Sequence, residues 1–311
     1  MMNRTFEERW EELRPGNGES VFKRVDEMHP LDFYIGLDIT GERMLLLLTD
    51  YEPPSVPKGQ SIEVSSAKRQ DGKWTLLFRL VRPELGKVFS QLCEDLVETS
   101  RDCNDMKSGT SIVIARFLRW KKLLERGNTG LMDEKALRGL IGERLFLETV
   151  IPRYGIEISI ESWSGPLGAD QDFRFPDFWY EVKTIRPGAS SITISSVEQL
   201  DVKGYCGELV VLYLDRATGS EPGSFTPSDL VQRLKGVIES NLVASIKFED
   251  KLLEAGYIER KEYNQQFFVL KEIRRFAVTE GFPKLCRRNL PYGIKNVKYE
   301  VEISSLEVFE Q

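Results

Sequence analysis

The sequence predicts a protein of mixed α/β class, with a central α/β core between an N-terminal antiparallel β domain and a C-terminal helical and mixed extension. Residues 32–82 alternate between apolar and polar positions and turn in hairpins. Residues 133–214 switch between helical and strand patterns, and helical spacing returns after residue 227. The chain has 311 residues, more than a single core usually accommodates. We expect three domains, at 1–105, 106–218 and 219–311.

The N-terminal domain is predicted from two hairpins. The runs FYIGLDIT and RMLLLLT flank Gly41-Glu42, and the runs SIEVSS and KWTLLFRL flank the turn at Asp71-Gly72. Helices are expected at 83–99 and 110–125. These elements predict an antiparallel sheet followed by helices.

The core begins with a helix capped by Asp133, whose apolar residues fall on one face. Gly139 and Gly142 lie beside that face. Glycine costs about 1 kcal/mol in a helix interior relative to alanine. Two such residues therefore predict close packing against a sheet or a partner.

The remaining core elements follow in the order β, β, β, α, β. We expect a strand at IEISIESW, a hairpin from DFRF and FWYEVKT, SITIS as a separate strand or as an extension of the hairpin, a helix at SSVEQLDVKGY and a strand at ELVVLYL. The extension then contains two helices, SDLVQRLKGVIESNL and SIKFEDKLLEAGY, and two strand-like runs, QQFFVLKEIRRFAV and VKYEVEI.

Several functional classes are disfavoured by composition. The four cysteines contain no CxxC pair and His29 is the only histidine, so a disulfide framework, a zinc site and histidine-based triads are unsupported. The polar start MMNRTFEERW is unlike a signal peptide or a membrane span, so we expect a cytoplasmic protein with no membrane association.

The charge distribution is uneven. A net charge of −6 argues against coating nucleic acid through bulk charge alone. Residues 271–299 nevertheless hold eight lysines and arginines against two glutamates. This cluster is either a phosphate-facing surface or a solvated face.

The run DFRFPDFWYEVKT, residues 172–184, carries the strongest chemical signal. The string [DE]xK occurs seven times, but only Glu181-Val-Lys183 ends an aromatic strand. A two-residue turn at Pro176-Asp177 would place Phe173 opposite Tyr180 and Asp172 opposite Glu181, whereas a longer loop would leave the two acids as diagonal neighbours. Directly opposed acids have Cβ atoms roughly 4.5 to 5.5 Å apart and repel each other unless a cation lies between them.

Oxygen ligands that leave part of the coordination shell open suit Mg²⁺, for which Mn²⁺ can substitute. Lys183 could then orient or help to deprotonate a water that attacks phosphorus. The alternative is an ion-paired strand surface. The aromatic residues Trp163, Phe173, Trp179 and Tyr180 are interpreted as core or hairpin packing.

The order GLIGERLFL, SWSGPLGADQDF, YEVKT and ISSVEQLD resembles the PD-(D/E)XK nuclease superfamily. More narrowly, it resembles a prokaryotic family named for the PD-(D/E)XK motif and found among restriction and phage-defence genes. The resemblance covers about residues 130–215 and implies a restriction-endonuclease-like αβββαβ core.

The resemblance also implies roles for individual residues. Asp172 and Glu181 match the metal-binding acids, Lys183 the catalytic lysine, Glu143 a helix glutamate turned towards the metal, and Gln199 a helix glutamine near the centre. Two rival carboxylates, Asp170 and Glu148, remain open as the first ligand. The literal Pro176-Asp177 is too close to Glu181 for the usual role of that pair.

The implied function is a Mg²⁺-dependent endonuclease acting on double-stranded DNA in a restriction or phage-defence system. An ATPase or helicase, or a methyltransferase subunit, is the implied partner, and a homodimer is an open possibility. The alternatives are a non-catalytic assembly subunit that docks partner proteins and an RNA-directed nuclease, for which no RNA-recognition motif is present in the sequence.

Overall fold

The computed structural model describes residues 5–14, 18–57, 59–125, 131–201 and 206–311. The chain forms two compact units, Met1–Gly130 and Leu131–Gln311. This division differs from the expected boundaries near residues 105 and 218. The helix that follows residue 105 belongs to the first unit, and residues 219–311 belong to the second, where they complete its sheets.

The first unit contains the predicted antiparallel sheet. Its elements are α1 Phe6–Glu12, β1 Val21–Arg24, β2 Asp32–Leu37, β3 Arg43–Thr49, β4 Ile62–Lys68, β5 Trp74–Leu80, α2 Gly86–Thr99 and α3 Met106–Glu125. Within the described ranges the strand order is β1-β2-β3-β5-β4, and every neighbouring pair is antiparallel. Gly41 and Gly72 both have φ 86°, a conformation that glycine adopts without strain. The two predicted hairpins are therefore confirmed.

The elements of the second unit are α4 Glu134–Tyr154, α5 Ile156–Ser162, β6 Phe173–Arg174, β7 Phe178–Ile185, β8 Ser191–Ile194, β9 Cys206–Arg216, α6 Pro227–Ile238, α7 Leu242–Glu254, β10 Phe268–Ala277 and β11 Tyr299–Glu302. The unit is built on a mixed sheet of order β10-β9-β7-β6, beside a smaller β11-β8 ladder. Strands β7 and β9 run parallel, whereas β6 and β10 are antiparallel to their neighbours.

Two apolar clusters enclose this sheet. Side chains of α4, α6 and α7 pack with Tyr180 and Val182 of β7. Trp179 packs with β8, β11 and Phe282 on the other side. Because side chains alternate along a strand, Glu181 and Lys183 share the face of Trp179. None of the helices in the described ranges combines the length and apolarity that crossing a membrane requires.

The expected strand at IEISIESW is wrong, because residues 156–162 form helix α5. Isoleucine favours strands, but tertiary contacts override this preference. Gly155, with φ 82°, separates α4 from α5, and α5 buries Ser159 and Ile160. Lys251 of α7 donates through Nζ to the carbonyl oxygens of Ile160 at 2.6 Å and of Glu161 at 3.0 Å. This contact satisfies carbonyls that a helix end leaves without partners.

The helix expected at SSVEQLDVKGY is also not observed. Its described part forms a single 3₁₀ turn, Val197–Gln199, and residues 202–205 lie outside the described residues. The αβββαβ order therefore differs from the structure at two of its six elements. The mixed α/β class is confirmed.

The paired glycines of α4 behave differently from one another. A Cβ at Gly142 would lie 1.9 Å from Oγ1 of Thr184 in β7, whereas a Cβ at Gly139 would meet nothing within 4 Å. The prediction of close packing against a sheet therefore holds at Gly142 alone. This close approach brings the next residue, Glu143, to the sheet.

Candidate active site

The β6–β7 hairpin has the register predicted from its two-residue turn. Phe173 pairs with Tyr180 and Arg174 with Trp179, and the amide of Phe175 donates to the carbonyl of Phe178 at 2.8 Å. A two-residue connection fixes register, so this pairing follows from the sequence.

Asp172 precedes β6 and is held at this hairpin. Its Oδ2 accepts a hydrogen bond of 2.8 Å from the backbone amide of Val182. Its backbone carbonyl accepts from the amides of Ser164 at 2.8 Å and Gly165 at 3.0 Å. The carboxylate is therefore held beside the two β7 residues that flank Val182.

Glu181 is the most buried of the predicted site residues, with 1% of its side chain exposed. Oε1 lies 2.7 Å from Nζ of Lys183, yet neither carboxylate oxygen has a hydrogen bond of normal geometry to any described residue. Burial, and then the charge of Asp172, raise the pKa of Glu181 well above its usual range, while Lys183 opposes the shift. A buried carboxylate with unused oxygens requires a further cation to remain ionised.

Glu143 brings a third carboxylate to the same place. Its Oε2 accepts a hydrogen bond of 2.7 Å from Nε1 of Trp163. A Cβ at Gly165 would lie 2.7 Å from that oxygen and 2.8 Å from Oδ1 of Asp172. The carboxylates of Glu143 and Asp172 therefore face the same small space, which stays open because residue 165 has no side chain.

Burial raises the pKa of all three acids, and the charge of Asp172 adds to the shift in Glu143 and Glu181. Burial, followed by the charge of Asp172, raises the pKa of Glu143 to about 8. The pKa of Asp172 is raised by burial, an effect that the Lys183 charge and the Val182 hydrogen bond oppose. Without a cation, three ionised carboxylates are unfavourable here, and a bound divalent ion would relieve the repulsion.

Lys183 connects the acids to Gln199. Its Nζ donates to Oε1 of Gln199 at 3.1 Å, and the same oxygen accepts from the amide of Ser195 at 2.8 Å. The 3₁₀ turn therefore gives the lysine a second contact besides Glu181. The structure thus brings together all five predicted site residues: Glu143, Asp172, Glu181, Lys183 and Gln199.

The rival acids lie elsewhere. Asp170 is exposed, and Glu148 forms an ion pair with Arg233 at 3.1 Å. Asp177, the literal aspartate of the Pro-Asp pair, is exposed at the hairpin turn. Of the candidates for the first acidic ligand, the structure brings Asp172 to Glu181.

Two participants were not predicted. The sequence identifies Trp163 only as packing, and it is indeed fully buried, but its indole also positions Glu143. Gly165 was missed altogether. The motif SGPLG contained a hint, since glycine often marks a close approach, but no local pattern shows that the carboxylates of Glu143 and Asp172 meet there.

The donor set suits a hard divalent cation. The described residues contain no group of three or more His, Cys, Asp or Glu side chains already arranged to hold a metal ion. Asp172 and Glu181 nevertheless offer carboxylate oxygens, and those of Glu181 are buried without hydrogen bonds from described residues. Two carboxylates with an otherwise open shell fit Mg²⁺, which retains waters and binds phosphate oxygens.

A family model described as "Putative PD-(D/E)XK family member, (DUF4420)" matches residues 6–304, nearly the whole chain. The chain belongs to this family. Membership in a PD-(D/E)XK family indicates a nuclease-like function, and the five site residues all lie within the matched range. No match to this chain was found among curated proteins or solved structures.

Proposed function

We propose that this member of the PD-(D/E)XK family is a Mg²⁺-dependent endonuclease that hydrolyses phosphodiester bonds of double-stranded DNA, with Mn²⁺ able to substitute. The observation that carries the proposal is the buried Glu181 carboxylate beside Asp172, of which Oε1 forms an ion pair with Lys183 and Oε2 has no hydrogen bond from a described residue. A purely structural ion pair would satisfy its oxygens, because buried polar groups are nearly always hydrogen-bonded.

In this proposal Asp172 and Glu181 hold the metal ion, and Glu143 adds a third carboxylate towards it. When bound, Mg²⁺ supplies positive charge that stabilises the charge developing at the scissile phosphate. The carboxylates become fully ionised ligands, since the charge of a cation offsets the burial and the repulsion that raise their pKa values.

Lys183 orients the attacking water and assists the removal of its proton. The ammonium group is held between Oε1 of Glu181 at 2.7 Å and Oε1 of Gln199 at 3.1 Å. Two fixed contacts limit the motion of a long flexible side chain, so its position is largely set before substrate arrives. Gln199 is therefore a positioning residue for the lysine.

The biological setting proposed for this activity is a restriction or phage-defence system in the cytoplasm. The family resemblance supports a partner ATPase or helicase, or a methyltransferase, and allows a homodimer that cuts both strands. The net charge of −6 supports a partner that adds affinity for DNA.

Plasmid nicking and linearisation test the proposal. We expect cleavage with Mg²⁺ or Mn²⁺, none with EDTA, and losses of about 100-fold or more for Asp172→Asn and Lys183→Ala. Asp170→Asn is the matched control, because it removes an exposed acid two residues from Asp172. Equal cleavage by wild type and Asp172→Asn would contradict the assigned site.

If wild type does not cleave the plasmid, calorimetric titration with Mg²⁺ distinguishes between the two remaining explanations. Binding that is lost in Asp172→Asn, without cleavage, would indicate a nuclease that requires its partner. Absence of both binding and cleavage would support the non-catalytic assembly subunit instead.

A further inference from the structure

The basic cluster of residues 271–299 divides into two parts in the structure. The cations of β10 are engaged with carboxylates: Lys271 with Glu221, Arg274 with Glu310 and Arg275 with Glu208. These pairs neutralise the strand. The segment 284–298, which we call the basic loop, is different.

The start of the basic loop is anchored to the turn that holds Gln199. Nζ of Lys284 donates to the carbonyl of Leu200 at 3.0 Å, and the amide of Arg287 donates to Oδ2 of Asp201 at 2.8 Å. The guanidinium of Arg287 also pairs with Glu198, with Nε 3.0 Å from Oε1. Three contacts therefore fix this part of the loop to residues 198–201.

The end of the basic loop returns to the same place. Tyr299, at the start of β11, pairs with Ile194 of β8, immediately before Ser195. The amide of Ser195 donates to Gln199. Nη1 of Arg287 also donates to the carbonyls of Ile294 at 3.2 Å and Lys295 at 3.0 Å. The loop is therefore bound at both ends to the residues around Gln199, the partner of Lys183.

Three cations of this loop are exposed, and their side chains form no hydrogen bond or ion pair with any described residue: Arg288, Lys295 and Lys298. Arg288 also lines an open cavity of about 680 Å³ together with Lys284, Asn289 and one carboxylate, Glu280. Cations without salt bridges, on a loop that is anchored at both ends, can bind phosphates without first breaking a salt bridge. Each phosphate contact also releases counterions from the DNA.

We propose that the basic loop binds the phosphate backbone of double-stranded DNA through Arg288, Lys295 and Lys298, next to the part of the site that contains Lys183 and Gln199. The identity of the substrate rests on the proposed function. The contacts position the duplex without reading its sequence, because they reach the backbone.

Fluorescence anisotropy with a short labelled DNA duplex, in EDTA so that no cleavage occurs, tests this inference. The test variant is Arg288→Gln/Lys295→Gln. The matched control is Lys135→Gln/Arg153→Gln, which removes one lysine and one arginine from exposed positions of α4. Melting temperatures establish that both variants fold.

We expect the test variant to bind roughly tenfold or more weakly, and the slope of log K against log salt to fall by about 0.9 for each lost phosphate contact. The control should retain wild-type affinity and slope, and Arg288→Lys should retain most of the affinity. Equal loss in both double variants, no loss in the test variant, or no duplex binding by wild type would overturn the inference. Failure of plasmid cleavage with the binding result intact would count against the catalytic proposal alone.

Discussion

At the scale of single residues, the site depends on the absence of a side chain at Gly165. Glu143 and Asp172 both approach the position that a Cβ of Gly165 would occupy. The carboxylate oxygens are the far ends of flexible side chains, so they can move aside and the fold can survive a substitution. The substitution would, however, change the positions of the Glu143 and Asp172 carboxylates.

Gly165→Ala is therefore expected to separate activity from stability. We predict a loss of cleavage of about 100-fold, the scale that a displacement near 1 Å can produce, with a small change in melting temperature. Gly236→Ala is the control, because a Cβ there meets nothing within 4 Å. Undiminished cleavage and Mg²⁺ affinity in Gly165→Ala would show that the two acids do not act together.

The raised pKa of Glu143 predicts a pH dependence of the metal-free protein. Burial and the Asp172 charge raise this pKa from 4.5 to about 8, so the folded state retains a proton that the unfolded chain releases. The contribution of Glu143 to stability is largest below about pH 4.5, decreases as pH rises towards 8, and is absent above that.

Calorimetry in EDTA measures this effect. The fall in melting temperature between mildly acidic pH and pH 8 should be smaller in Glu143→Gln than in wild type, since glutamine does not titrate. Glu148→Gln, which alters the ion pair with Arg233, should follow wild type. If the melting temperatures of wild type and Glu143→Gln changed equally with pH, the buried Glu143 carboxylate would not be the cause of the pH dependence.

At the scale of elements, the hairpin was predictable and its neighbours were not. The β6–β7 register follows from alternation and a two-residue turn, both of which are local. Helix α5 was mistaken for a strand because its stabilising contacts come from Lys251, about ninety residues away. The turn around Gln199 was mistaken for a helix, and its contact with Lys183 was not predicted.

The two glycines of α4 offer a matched test of how this helix packs on β7. Gly142→Ala places a methyl group 1.9 Å from Oγ1 of Thr184, which must be relieved by moving the helix or the side chain, so we predict a loss of about 1 to 3 kcal/mol. Gly139→Ala meets open space and should gain up to about 1 kcal/mol. Urea unfolding measures both, and equal effects would contradict the close approach.

At the scale of the whole molecule, the proposed metal ligands all belong to the second unit, Leu131–Gln311. We predict that Mg²⁺ slows amide hydrogen exchange in peptides covering residues 140–150 and 170–200, because ligand binding stabilises the region it contacts. Peptides covering residues 32–80 should be unchanged. Comparable protection in the first unit, or protection that persists in Asp172→Asn, would argue for a different site.

The sequence by itself determined the antiparallel sheet of the first unit, the register of the hairpin and the identity of the five candidate residues. These features depend on alternation, turn length and motif order, which are properties of neighbouring residues. The tertiary structure decided the rest. It joined residues 219–311 to the core, converted one predicted strand into a helix, and placed Gly165 and Trp163 against the acids. Those outcomes depend on tertiary contacts, such as that of Lys251 with Ile160, whose energies no local pattern contains.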